Sequence, residues 1–198
     1  WASADDLFAP ESLSCCVEVL DRFPDVVLCY PKTVLIDASG QVIRPYDDRL
    51  DLQSNSPVDR FLMASKRIGL VNVLYGLMRS KDVRKTKLIR HYPGADVTFV
   101  LELTLYGKFL EIDRPLFFRR MHEHASSSMK SSPSKLQAYV AASRKTPLFS
   151  PSLQALSDKV VRVLRGPLSI AERFQLLYFL VGGMVYSYLI SIDRVVTQ

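Results

Sequence analysis

The chain has 198 residues, 48% of them hydrophobic, which is ordinary for a globular protein and enough for one substantial core, or one domain with an appendage. Its net charge of +6 is unevenly spread: residues 1–60 hold 11 acids and 5 bases, residues 61–198 hold 9 acids and 21 bases. Three cysteines, two of them the adjacent Cys15 and Cys16, exclude a disulfide framework and point to a reducing compartment. The basic second half suits phosphate groups, anionic lipid or, on net charge alone, nucleic acid. No zinc-finger or RNA-binding signature is present, so no nucleic-acid partner is expected.

The first ten residues, Trp1 to Pro10, set the adjacent carboxylates Asp5 and Asp6 between apolar flanks, with a helix signal directly behind. They read as the tail of a buried strand, which predicts that this is the C-terminal part of a longer protein whose preceding sheet is missing. Carboxylates at a strand end before a helix suit a hard divalent cation that takes its remaining oxygens from water and a diphosphate; a solvated acidic turn is the plainer alternative. Residues 10–22 predict an amphipathic helix with Leu13, Cys16, Val17 and Leu20 on its apolar side, stopped by Pro24. Val26 to Tyr30 predicts a strand buried on both faces, with Cys29 in the core. Thr33 to Ile36 predicts a second strand, turned at Asp37–Gly40 into a return strand at Gln41–Ile43. Residues 44–56, with Asp47, Asp48 and Asp51, read as a polar loop of a length that is often functional.

Ser56-Pro57 starts a helix that runs to about Lys66. Val71 to Met78 predicts a strand whose Asn72 and Gly76 bring backbone close to a ligand. Ser80 opens a short basic helix. Asp96 opens a helix through Tyr106, closed by Gly107, and the helix N-terminus favours the ionised form of Asp96. Phe109–Ile112 and Leu116–Arg120 predict two extended segments. A serine-rich hinge covers Ala125 to Pro133, and helices are expected over 134–145 and 152–165. Ser169-Ile-Ala-Glu172 is a capping box for a last helix, which carries an uncharged run from Phe174 to Ile192. That run admits three placements: a buried or docking helix, membrane insertion or interfacial binding, or a dimer contact.

Four segments together resemble family 2 glycosyltransferases. They are Ser3-Ala-Asp-Asp-Leu-Phe-Ala-Pro10, Asn72-Val-Leu-Tyr-Gly-Leu-Met-Arg79, Tyr92-Pro-Gly-Ala-Asp-Val-Thr-Phe-Val-Leu-Glu-Leu-Thr-Leu-Tyr-Gly107, and Pro115-Leu-Phe-Phe-Arg-Arg-Met-His122. The resemblance implies an α/β fold: an incomplete GT-A mixed sheet flanked by helices, with the N-terminal nucleotide-binding half missing. Residues 1–128 would be the acceptor-side part and 129–198 a helical C-terminal extension. It implies an inverting transfer of a sugar from a nucleotide-diphospho-sugar to an acceptor hydroxyl, assisted by a divalent cation (Mg or Mn). Asp5, Asp6 and His122 would hold the metal. Asp96 would act as base. Arg119, Arg120 and His122 would meet the diphosphate, with His124 beside them. Asn72, Gly76 and Arg79 would line the acceptor side. The truncated chain alone is expected to be impaired. The alternative is a non-catalytic transferase-like module, cytoplasmic, that docks to a membrane surface or a protein partner through its C-terminal helix.

Overall fold

The computed structural model describes residues 1–122 and 151–196, with backbone alone for residue 151 and residues 184–196. The hinge, the helix expected over 134–145, and His124 lie outside the described residues.

The architecture is α/β: a mixed, open five-stranded sheet and, among the described residues, six α-helices. Strand β1 (Leu7–Phe8) is followed by α1 (Ser12–Arg22), β2 (Val26–Ile36) and β3 (Val42–Tyr46). Next come α2 (Pro57–Arg67), a 3-10 turn (Asn72–Tyr75), β4 (Leu77–Met78), α3 (Ser80–Val83), α4 (Ala95–Leu103) and β5 (Lys108–Arg120). Helices α5 (Pro151–Arg165) and α6 (Ile170–Val196) follow. The sheet order is β1-β5-β2-β3, with β4 also paired to β2. The β2–β5 pair is parallel and the other pairs are antiparallel.

Strand β2 is the axis of the molecule, buried along its length except at Lys32. As its composition predicts, both faces are covered. Cys16 and Leu20 of α1 pack on Val26 and Cys29 on one side. The larger cluster takes Leu28 and Tyr30 together with Phe61, Phe99, Leu103 and Phe109. It also takes Val163 of α5, Leu168, and Leu176 and Leu180 of α6, so the last helices share the core of the sheet.

Several expected boundaries are corrected. Thr33–Ile36 is not a second strand; β2 runs straight through Pro31, and β5 runs through Pro115 in the same way. Both prolines lie where the β2–β5 register shifts, at Pro31/Lys32 and Lys32/Thr33, so the missing N–H groups fall at irregularities that need no ladder bond. An exposed Lys32–Asp113 ion pair spans the place. Strand β3 extends to Tyr46, shortening the polar loop. Residues 71–76 form a tight turn in place of a strand, because Val71 takes a left-handed conformation (φ 62°). The helix begun at Ala95 stops at Leu103. On α1 the sheet-facing side is Ser12, Cys16 and Leu20, while Leu13 and Val17, one residue further round, are exposed. Leu7 and Phe8 of β1, at the edge of the sheet, are exposed in this chain.

The local signals hold where chemistry is short-range. The Ser56 hydroxyl accepts the Asp59 N–H at 3.2 Å, with Pro57 at the first position of α2. Glu172 accepts from the Ser169 N–H at 2.7 Å and the Ser169 hydroxyl accepts from the Glu172 N–H at 3.3 Å, the reciprocal bonds of a capping box. Among the described residues no helix is long and apolar enough to cross a membrane.

Candidate functional site

The C-terminal end of β5 and the residues before β1 meet at one edge of the sheet. β1 pairs antiparallel with β5 (Leu7 opposite Phe118), so Asp5 and Asp6 lie beside Arg120 to His122. The Asp6 carboxylate accepts the Arg120 N–H at 2.7 Å. Asp5 Oδ2 lies 2.7 Å from His122 Nε2, and the Ser3 hydroxyl donates to Asp5 Oδ1 at 2.6 Å. The Ser3 hydrogen bond first, and His122 after it, hold the Asp5 carboxyl below its ordinary range.

Arg119 and Arg120 project to opposite sides of the strand. Arg120 donates to the Asp5 carbonyl at 2.9 Å and to the carbonyls of Asp37 and Ala38 at 3.0 and 2.9 Å, tying the acidic segment to the β2–β3 turn. Arg119 is buried and donates to the Leu70 carbonyl at 2.8 Å and to Asn72 Oδ1 at 2.6 Å. The left-handed kink at Val71 is what presents both acceptors at once. The Asn72 amide then donates to Asp48 Oδ2 at 3.3 Å, and the Thr33 hydroxyl donates to the same oxygen at 2.7 Å. A buried chain Arg119–Asn72–Asp48–Thr33 therefore underlies the site. Burial pushes the Asp48 carboxyl up, against the pull of Thr33 and Asn72.

Tyr75 connects this layer to the acidic pair. Its ring packs on Phe117 (centroids 5.5 Å apart), which also meets Phe8 at 4.9 Å. Burial raises its phenol, opposed by the Arg119 guanidinium and by a hydrogen bond with Ser3. Tyr75 also stands on the wall of a cavity of about 710 Å³. The rest of the wall is mostly apolar and includes Trp1, Phe8, Leu13, Cys16, Leu77 and Met78, with Gly76 beside Tyr75.

The remaining expected site residues fall as follows. Gly76 lies on the cavity wall and also against β2: a Cβ there would stand 2.5 Å from the Cys29 carbonyl oxygen and 2.8 Å from Tyr30 Cβ. Arg79 holds α1 to β2, donating to the carbonyls of Val26 (2.8 Å), Phe23 (3.0 Å) and Leu20. It is not among the residues that line the cavity. Asp96 sits in the first turn of α4 with its carboxylate on the Val97 N–H at 2.9 Å. Phe99, three residues on and so on the same side of the helix, meets the Trp1 ring edge-on at 5.1 Å. Trp1 thus links the start of α4 to the acidic segment, although among the described residues no hydrogen bond joins Asp96 to Asp5, Asp6 or His122.

Asp5 and His122, held together by their 2.7 Å contact, are with Asp6 the side chains at this edge that could ligate a divalent cation. Among the described residues no cluster of three or more His, Cys, Asp or Glu side chains is placed to hold a metal, so most ligands of such an ion would come from water or substrate. Sequence reasoning missed Ser3, Tyr75, Asp48 and Thr33. Ser3 had a readable signal, two residues before Asp5. Asp48 stood in the polar stretch singled out for its length, but nothing local separates it from Asp47 or Asp51. No protein-family model and no curated protein matches the chain.

Proposed function

We propose that this chain carries the metal and acceptor side of an inverting glycosyltransferase that uses a nucleotide-diphospho-sugar. The observation that carries the reading is the Asp5–His122 contact at 2.7 Å, between side chains 117 residues apart that belong to two of the four segments resembling that family. A divalent cation bound there supplies positive charge to a departing diphosphate. The chain's own part is to fix the donors: Ser3 orients the Asp5 carboxylate, the Arg120 N–H holds Asp6, and the Arg120 side chain locks both to the turn after β2. Asp96 is the base in this reading, taking the proton of the acceptor hydroxyl. The Trp1–Phe99 contact keeps its helix beside the acidic segment.

Thermal unfolding with manganese and a panel of nucleoside diphosphates tests it. The expected result is an upward shift of several degrees that needs both the metal and one nucleotide, and that Asp5→Asn and His122→Ala each abolish. A shift retained in both variants, or none in the parent chain, removes the assignment. In a transfer assay Asp96→Asn is expected to lower kcat by at least about 100-fold.

A second reading has its own observation. Ile170, Phe174, Tyr178 and Val181 form an exposed stripe along α6, opposite Leu176 and Leu180 in the core. Such a face fits a cytoplasmic module resting on a membrane surface. Sedimentation with anionic vesicles, lost in Phe174→Glu, is its expected result; no sedimentation of the parent chain removes it.

A further inference from the structure

The thiols of Cys16 and Cys29 cross in the seam between α1 and β2. Cys16 Sγ lies 3.8 Å from the Cys29 carbonyl oxygen, and Cys29 Sγ lies 3.7 Å from the Cys16 carbonyl oxygen. This reciprocal arrangement sets each thiol against the other residue's backbone in the small cluster that holds α1 on the sheet. Neither thiol bonds to Asp5, Asp6 or His122, and Cys16 is shared with the site only as part of the cavity wall. Cys15 is adjacent in sequence but turned about 100° round the helix, and its sulfur accepts from Arg114 at 3.1 Å on the outer side.

Access is uneven. Cys16 is part of the wall of the 710 Å³ cavity and Cys29 is not. A small molecule in that cavity therefore meets Cys16 before Cys29. The hydrogen bond with Cys29 lowers the Cys16 thiol. The hydrogen bond with Cys16, together with burial, raises the Cys29 thiol. Both thiols are buried, and Cys16 is the member of the pair that reaches the cavity wall, which makes it the attacking thiol.

We propose that Cys16 and Cys29 are a reversible oxidation site, in which hydrogen peroxide entering the cavity closes a disulfide between α1 and β2. Cys16 thiolate attacks the peroxide oxygen, the O–O bond breaks, and hydroxide leaves with a proton as water, giving a sulfenic acid. Cys29 sulfur then attacks the Cys16 sulfur, the S–O bond breaks, and the Cys29 proton leaves with that hydroxyl as a second water. Two thiols lose two electrons to the peroxide, and a dithiol restores them by exchange. The bond would pin α1 against the strand on which the sheet is built, and so stiffen one cavity wall. The inference is independent of the transferase reading, since it uses neither metal nor nucleotide.

The test treats the folded chain with hydrogen peroxide and digests it with trypsin without reduction. Cleavage after Arg22 and Lys32 leaves Cys15 and Cys16 on residues 1–22 and Cys29 on residues 23–32. The expected product is these two peptides joined, two hydrogens lighter than their sum and separated by dithiothreitol. Cys15→Ser retains the link and Cys16→Ser loses it. The proposal is overturned if the peptides stay unlinked while Cys16 proceeds to sulfinic acid, or if Cys15→Ser abolishes the link. The parent chain decides the first point without any variant, so a folding defect in Cys16→Ser does not blunt the test.

Discussion

Arg119 and Arg120 are neighbours with opposite tasks, and the difference lies in what each guanidinium touches. Arg120 works at the surface on carbonyls of two loops, whereas Arg119 completes a buried polar chain through Asn72 to Asp48. Removing a middle member of such a chain strands the groups at both ends, which costs more than the bond itself contributes. Asn72→Ala is expected to destabilise the chain by about 1–3 kcal/mol, read from chemical denaturation; an unchanged midpoint would contradict the network's role. Asp48 has a second, pH-dependent signature. Burial raises its carboxyl above the ordinary 3.8, so the native chain keeps a proton there that the unfolded chain has released. The associated stability is present below pH 3.8 and is lost as pH rises through the native-state value. Asp48→Asn is expected to flatten the decline of stability with pH in that window; equal slopes in parent and variant would refute it. None of this could be read from the chain alone. Asn72 was singled out, but its partners lie 24 and 47 residues away, and the positive φ at Val71 that aims it has no local sequence mark in a β-branched residue.

At the level of elements, the docking of α5 rests on one buried cation. Arg162 donates to Asp158 Oδ2 at 3.0 Å, to the Leu88 carbonyl at 2.8 Å and to Glu102 of α4, while the Tyr92 hydroxyl donates to Asp158 at 2.8 Å. Burial raises the Tyr92 phenol and the Glu102 carboxyl, which marks how far this cluster is from water. Arg162→Ala leaves Glu102 buried without its counter-ion and Asp158 with only Arg90, at 3.5 Å. It is expected to cost about 3–5 kcal/mol in an unfolding titration, and a loss below about 1 kcal/mol would show that water enters to replace it. Helix starts were legible here because a cap is a three-residue event, as at Ser56 and Ser169. Strand continuity was not: Pro31 and Pro115 each look like a stop until the partner strand supplies an irregularity to receive them.

Taken whole, the larger of the two buried clusters that cover β2 draws Val163, Leu168, Leu176 and Leu180 from the last helices. Deleting residues 151–198 would expose the Phe99 and Leu103 face of α4, so the shortened chain is expected to lose its single cooperative thermal transition. A clean transition near the parent midpoint would mean that these helices are an accessory layer. The resemblance implied an α/β fold, and the structure is α/β with a mixed sheet; which helices close the core depended on contacts between distant segments.

The parallel pairing of β2 with β5 also fixes a timetable. Residues 26–36 cannot find their partner until residues 108–120 exist, and Asp5 precedes His122 by 117 positions. At about 5–20 residues per second, a ribosome takes about 6–23 s to deliver the histidine after the aspartate. Throughout that interval the most apolar strand of the protein lacks its longest neighbour, and the acidic pair has nothing to face. The site is thus a late product of synthesis, and nascent chains stalled before residue 108 should be clients of chaperones and lack the Asp5–His122 contact altogether.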